Sequence, residues 1–187
     1  PMTAILGFIV LREKVTVQKI AFVLLGFIGV AFIAVKDYSQ VFIWGHGEVL
    51  ALISSIFFAL SYITRKWQGS LLNNKEIAVI IFFISTLLLF FTSVIIFHEP
   101  LPKSSVWDVT TILVILGAGL FNVINLFLTN YGFQKVDAVL GSNLLMLEVV
   151  FAVILGFLFY FEIPNLKECI GGALIVLSAY WMNKTEN

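Results

Sequence analysis

One carboxylate lies deep inside an apolar stretch of the sequence. Glu148 is near the middle of an apolar segment that runs from 136 to 161. A charge at the centre of a spanning helix costs about 3 kcal/mol on insertion scales, so such residues usually face a protein interior or a water-filled cavity. Two roles stay open: a site for a proton or a cationic substrate, or a hydrogen bond that only packs two helices together.

Amides and a hydroxyl form a second polar pattern. Asn122, Asn125 and Thr129 have the spacing i, i+3 and i+7, which places them on one face of a helix. Asn143 precedes Glu148 by about one turn and extends the same polar path. These side chains either line a substrate pathway or form hydrogen bonds between helices, which are common in membrane proteins.

Small residues form a third pattern, which predicts close helix packing. Residues of small volume recur at intervals of four in one segment and as a glycine pair in another, where they let a neighbouring backbone approach closely. The positions are Gly47, Ala51, Ser55 and Ala59, followed by Gly171 and Gly172.

The sequence carries no pattern that indicates catalysis or metal binding. His46 and His98 lie in separate joints, and Cys169 is the single cysteine, so no metal-ligand spacing exists. There is no glycine-rich phosphate loop and no nucleophile elbow. We therefore predict no metal site, no cofactor and no enzymatic activity.

Composition indicates the elements that hold these residues. Of 187 residues, 60% are hydrophobic and 12% are charged, whereas soluble domains carry about 25% charged residues. The net charge of zero gives no indication of a nucleic-acid partner. Seven apolar segments, six of roughly bilayer length and a shorter first one, predict an all-α integral membrane protein whose main partner is the lipid bilayer. The segments are 2–11, 17–35, 47–64, 76–97, 107–131, 136–161 and 166–182.

Basic and aromatic residues predict the orientation. The four tryptophans lie at segment ends, which is typical of the membrane interface; they are Trp44, Trp67, Trp107 and Trp181. Eight basic residues fall on one side of the seven-span topology and three on the other. The eight are Arg12, Lys14, Lys19, Arg65, Lys66, Lys75, Lys135 and Lys184, and the three are Lys36, Lys103 and Lys167. The excess predicts a cytoplasmic C-terminus in a plasma or inner membrane.

Two stretches of the chain repeat. The residues from Ile5 to Glu13 match those from Ile154 to Glu162: both begin Ile-Leu-Gly-Phe, and in both Gly precedes Glu by six positions. Each Glu ends an apolar segment, and we predict that it caps or fixes the following turn. The second copy lies five segments after the first, which is an odd number, so the two copies cross the membrane in opposite directions. Inverted repeats are typical of secondary transporters.

These residues resemble the EamA-type modules of the drug/metabolite transporter superfamily. The Gly-containing stretches Ala4–Glu13 and Ala152–Glu162 resemble the fourth helix of each module, and Leu147–Gly156 resembles the motif around the start of that helix. Ile170–Ser178 resembles a module's last helix, and Leu50–Leu60 resembles its first. Val149 stands where the family motif usually has proline. The resemblance implies a ten-helix fold built from two five-helix modules.

The resemblance also implies the domain organisation. Residues 1–36 correspond to the last two helices of a first module, 46–183 to a complete second module and 184–187 to a cytoplasmic tail. We therefore expect the first three helices of the ten-helix fold to lie outside this sequence. The implied function is secondary export or exchange of small organic metabolites or drugs by alternating access, and a homodimer is compatible with it.

Other classes of membrane protein fit the sequence less well than a transporter does. A retinal protein needs a lysine in the middle of its last helix, and none lies between Lys167 and Lys184. An intramembrane enzyme needs a catalytic partner for Glu148, and the sequence offers none. A receptor-like or purely structural multi-helix protein remains the alternative, although neither requires an inverted repeat.

Overall fold

A computed structural model describes residues 2–13, 16–35, 45–98 and 107–186. Within these ranges the chain is helical and has no strand, which confirms the all-α fold. The helices are α1 (Met2–Leu11), α2 (Val17–Ala34), α3 (His46–Gln68), α4 (Asn74–Phe91), α5 (Val109–Lys135), α6 (Ala138–Leu145), α7 (Leu147–Tyr160) and α8 (Leu166–Glu186). A π-helical turn, Thr92–Ile96, extends α4. Lys14, Lys36, Trp44 and Lys103 lie outside the described residues.

The apolar segment 136–161 differs from the single helix that its length predicts. It forms two helices, α6 and α7, interrupted at Met146. The Ser142 hydroxyl donates a hydrogen bond to the carbonyl of Val139 at 2.9 Å, one turn back. Such bonds compete with the helical ladder and often bend it. Glu148 therefore lies in the first turn of α7, near the middle of the apolar stretch Ala138–Tyr160 that both helices form.

Side chains near the starts of several helices satisfy the free N–H groups there. Asn73 and Glu76 form a reciprocal capping box at the start of α4. Asp108 precedes α5 and accepts from the backbone N–H of Thr111 at 2.8 Å. Hydrogen bonds from the Thr111 side chain and backbone hold the pKa of Asp108 below its usual value.

The described residues divide into two compact units. Unit 1 contains Pro1–Thr64 and Val136–Asn187, and unit 2 contains Arg65–Lys135. Unit 1 therefore holds α1, α2, α6, α7, α8 and most of α3. Unit 2 holds the end of α3 together with α4 and α5.

The centre of unit 1 is the packing of α2 against α8. The Ser178 hydroxyl donates to the carbonyl of Phe22 at 2.6 Å. Seven residues later on α2 and seven earlier on α8, Gly29 and Gly171 meet: a Cβ added at either would lie 2.6 Å from the other's carbonyl oxygen. The two helices are therefore antiparallel and cross at small residues.

Apolar side chains cover the outside of the helices. Within Asn74–Ile96 and within α5, no residue of the most apolar eighteen-residue stretch is buried. Soluble proteins rarely expose contiguous apolar patches of that extent, but a bilayer accommodates them. Five described stretches are long and apolar enough to cross a membrane: Val17–Ala34, His46–Gln68, Asn74–Ile96, Val109–Lys135 and Ala138–Tyr160.

Candidate functional site

A cavity of about 650 Å³ lies in unit 1 between α1, α2 and α3. Helix α3 supplies most of its wall, through residues spaced by three or four positions. The lining residues are Met2, Thr3, Phe27, Glu48, Ala51, Leu52, Ser55, Phe58, Ala59 and Tyr62. A mostly apolar wall with a few polar groups is the usual composition of a site for a small organic molecule.

Three of the polar groups of the cavity repeat along α3. Glu48, Ser55 and Tyr62 are seven positions apart, so they share one face of the helix. Glu48 accepts a hydrogen bond from the N–H of Gly45 at 2.8 Å. Ser55 donates its hydroxyl proton to the carbonyl of Leu52 at 2.7 Å. Because that proton is used, the Ser55 oxygen remains available only as an acceptor.

Glu48 and Tyr62 were missed in the sequence reasoning, although a signal for them exists. That reasoning used the four-residue spacing of the small residues on this helix and predicted packing. The seven-residue spacing of polar side chains on the same segment indicates a polar stripe that includes both Glu48 and Tyr62. The signal was obscured because Glu48 falls in the first turn of α3, where an acidic residue is commonplace.

The small residues predicted to pack lie in several environments. Ala51, Ser55 and Ala59 line the cavity, and a Cβ at Gly47 would meet no atom within 4 Å. On α8, Gly171 lies at the close approach to α2, and a Cβ at Gly172 would reach a Val150 methyl carbon at 4.0 Å.

Glu148 is exposed on the surface of unit 1. None of the described residues makes a hydrogen bond or an ion pair with its carboxylate. Its position in the first turn of α7 places the carboxylate near the positive end of the helix dipole. Among the described residues Glu148 therefore has no hydrogen-bond or ion-pair partner, and its place on a proton or substrate pathway stays a prediction.

The polar stripe of α5 lies in unit 2. Asn122 and Asn125 are exposed, Thr129 is half-buried, and the Thr129 hydroxyl donates to the Asn125 amide oxygen at 3.1 Å. The next residue, Asn130, is buried and accepts a hydrogen bond from the guanidinium of Arg65. The sequence reasoning did not single out Asn130, although a second polar residue directly after Thr129 was a visible signal.

Asn143 is buried where α2, α6 and α8 meet. Its amide nitrogen donates to the Ser178 hydroxyl at 3.0 Å, and that hydroxyl donates to the Phe22 carbonyl. The chain of two hydrogen bonds connects three helices. In this structure Asn143 therefore joins helices, whereas Glu148 is exposed five residues later.

The two repeated Glu residues follow the same turn. Arg12 and Phe161 adopt left-handed backbone conformations, with φ of 55° and 56°. Each reverses the chain after an apolar helix, so that the N–H of the next residue donates to a carbonyl six positions back. These bonds join Glu13 to Gly7 at 3.3 Å and Glu162 to Gly156 at 3.4 Å. The repeated Gly-to-Glu spacing is therefore the signature of one turn.

Only the Glu13 carboxylate has a described partner. It accepts hydrogen bonds from the N–H groups of Ala138 at 2.8 Å and Val139 at 3.3 Å, which begin α6. Asp137 precedes α6 but makes no side-chain cap there. Its carboxylate instead pairs with Lys19 at 3.2 Å. The joint between α1 and α2 thereby fixes the start of α6.

Among the described residues, no group of three His, Cys, Asp or Glu side chains could hold a metal ion. The polar groups of the cavity are a carboxylate, hydroxyls and a phenol. They can bind a small organic molecule through hydrogen bonds or a cationic group through charge.

The sequence was compared with family models, curated proteins and solved structures. The family model described as the EamA-like transporter family matches residues 45–184, which is most of the chain. The chain belongs to the EamA-like transporter family. No curated protein and no solved structure matches it. An EamA-like chain with these apolar helices is a multi-pass membrane protein of the drug/metabolite transporter type, and members of that family are generally transporters.

Proposed function

We propose that this chain forms the greater part of a secondary transporter that moves small organic metabolites by alternating access. In this proposal residues 46–183 are the complete second module, and residues 1–36 are the last two helices of the first. The observation that carries the proposal is the cavity of unit 1, since α1 and α2 of the one module and α3 of the other all contribute to its wall.

The antiparallel packing of α2 against α8 supports alternating access. Helix α2 follows the turn at Glu13, and α8 follows the equivalent turn at Glu162. Because α2 and α8 are antiparallel, the two copies of the repeat have opposite orientations. Two such halves can exchange conformations, which opens a central site first to one side of the membrane and then to the other.

A cavity-filling substitution tests the proposal. Ser55→Trp places an indole in the cavity, whereas Phe57→Trp changes a side chain that is 67% exposed on the same helix. We expect cells that make the protein to differ from cells that lack it in their content of some small organic compounds. Ser55→Trp abolishes that difference, and Phe57→Trp preserves it at equal membrane abundance.

Two outcomes contradict the proposal. If a broad range of metabolites has the same cellular content with and without the protein, the result contradicts the transport function. A difference that survives Ser55→Trp shows that the cavity of unit 1 is not on the transport route.

A further inference from the structure

The C-terminal end of α7 carries a carboxylate beside an open groove. The groove, which we call the α7 groove, has a volume of about 770 Å³ and is lined by Ala152, Leu155, Gly156, Phe159, Tyr160 and Glu162. Phe159 and Tyr160 are 73% and 78% exposed. Among the described residues, none donates a hydrogen bond to the Glu162 carboxylate.

The same surface exists on α1, where it is covered. Glu13 is the repeat equivalent of Glu162, and Gly7 is the equivalent of Gly156. Helix α6 packs against α1, and a Cβ at Gly7 would lie 3.3 Å from a methyl carbon of Val139. The two N–H groups that begin α6 bind the Glu13 carboxylate. In the α1 copy, the surface is therefore occupied by the N-terminus of a helix, α6.

The two carboxylates are also held in the same way. A Cβ at Gly7 would lie 3.2 Å from a Glu13 carboxylate oxygen, and one at Gly156 would lie 3.4 Å from a Glu162 carboxylate oxygen. Each side chain therefore folds back over the last turns of its own helix. Glu162 is already in the conformation in which Glu13 accepts hydrogen bonds.

We propose that the α7 groove receives the N-terminus of a helix equivalent to α6, supplied by the first module whose last two helices are residues 1–36. This proposal rests on the domain organisation in the proposed function. The repeat places that helix immediately before α1 in the polypeptide. Its first N–H groups bind Glu162, because a carboxylate complements both the free donors and the positive end of a helix dipole.

A second copy of the chain does not suit the groove. The N-terminus of α6 in any copy is already bound by its own Glu13, and the adjoining Asp137 is paired with Lys19. Docking of that helix on another copy would first break these contacts. The two copies of the turn therefore form reciprocal caps within one transporter, each Glu fixing the start of a helix from the opposite module.

Photo-crosslinking in the native membrane identifies the occupant. A photoreactive phenylalanine analogue replaces Tyr160 in the α7 groove, and in a matched variant it replaces the repeat equivalent Leu11 on α1. The crosslinked peptides are then identified by mass spectrometry. We expect position 11 to crosslink to α6, and position 160 to crosslink to the first turns of a helix that precedes α1 in the same polypeptide.

Other crosslinks overturn the proposal. With position 11 crosslinked to α6, the proposal fails if position 160 reacts with lipid alone, with another protein, with a second copy or with nothing. The readout does not depend on transport. If the protein transports but this crosslink does not form, only the docking proposal is contradicted. If the crosslink forms but the protein does not transport, only the proposed function is contradicted.

A pair of cap variants gives a second readout. In the full-length protein Glu13→Gln and Glu162→Gln each remove one charged cap, and we expect each to lower the Tm by about 2 to 4 °C. If Glu13→Gln lowers the Tm as expected and Glu162→Gln leaves the Tm unchanged, the result contradicts a cap at position 162.

Discussion

Buried hydrogen bonds from single side chains connect helices within unit 1. Ser178 is fully buried and connects Asn143 on α6 with the Phe22 carbonyl on α2. Its hydroxyl donates once and accepts once, so both of its bonds are formed at the same time. Loss of the hydroxyl leaves a buried amide and a buried carbonyl each without one partner.

Ser178→Ala tests this network. We expect the free energy of unfolding in a lipid-like medium to fall by about 0.6 to 1.7 kcal/mol, the range of hydrogen bonds between membrane helices. Ser54→Ala, at an exposed position of α3, serves as the matched control and leaves the free energy of unfolding nearly unchanged. Equal stability of the two variants would show that the hydrogen bonds of Ser178 contribute nothing net.

Glu148 gives a prediction of a different type, because it has no described partner. Glu148→Gln keeps the shape and removes the charge, so we expect the Tm to change little and transport to be lost. Glu168→Gln changes a carboxylate that accepts from the backbone N–H of Asn165 at the start of α8; it is the matched change and retains transport. Retained transport with a lowered Tm for Glu148→Gln would assign the residue to packing instead.

At the scale of the elements, the close crossing of α2 and α8 determines the shape of unit 1. Gly29 and Gly171 allow the two backbones to touch. The small-residue pattern of the sequence predicts packing for Gly171 but does not identify the helix that it contacts. A single sequence shows that a residue is small, but the identity of the opposing helix depends on long-range packing.

Gly29→Ala tests the crossing. The added methyl group would lie 2.6 Å from the Gly171 carbonyl oxygen, so α2 and α8 must separate. We expect a loss of about 1 to 3 kcal/mol in the free energy of unfolding. Gly117→Ala in α5, where a Cβ meets no atom within 4 Å, is expected to be neutral or slightly stabilising. Similar effects of the two changes would argue against a tight crossing.

The same elements show how far the sequence predicts the fold and where it stops. Apolar length is a local property, so the positions of most helices follow from it. The interruption at Met146 does not, because a single residue between two helices leaves the apolar pattern of the segment unchanged. The repeated turn was visible as a Gly-to-Glu spacing, but the capping of α6 by Glu13 joins residues 125 positions apart. No local pattern contains that contact.

At the scale of the whole molecule, the chain is a membrane protein whose two repeat copies are expected to have opposite orientations. The cavity, the reciprocal caps and alternating access all depend on that inversion. The repeat-equivalent residues Arg12 and Phe161 are both exposed and follow their helices in the same backbone conformation. They are therefore matched positions from which to determine the orientation of the two copies.

The most direct test places one cysteine at position 12 or at position 161 in a Cys169→Ser background, and labels intact cells with a thiol reagent that cannot cross the membrane. We predict that position 161 reacts in intact cells and that position 12 reacts only after lysis. The reverse pattern would preserve the inverted repeat and place the C-terminus outside the cell. Reaction of both positions from the same side would contradict the inversion, and with it the proposed mechanism of transport.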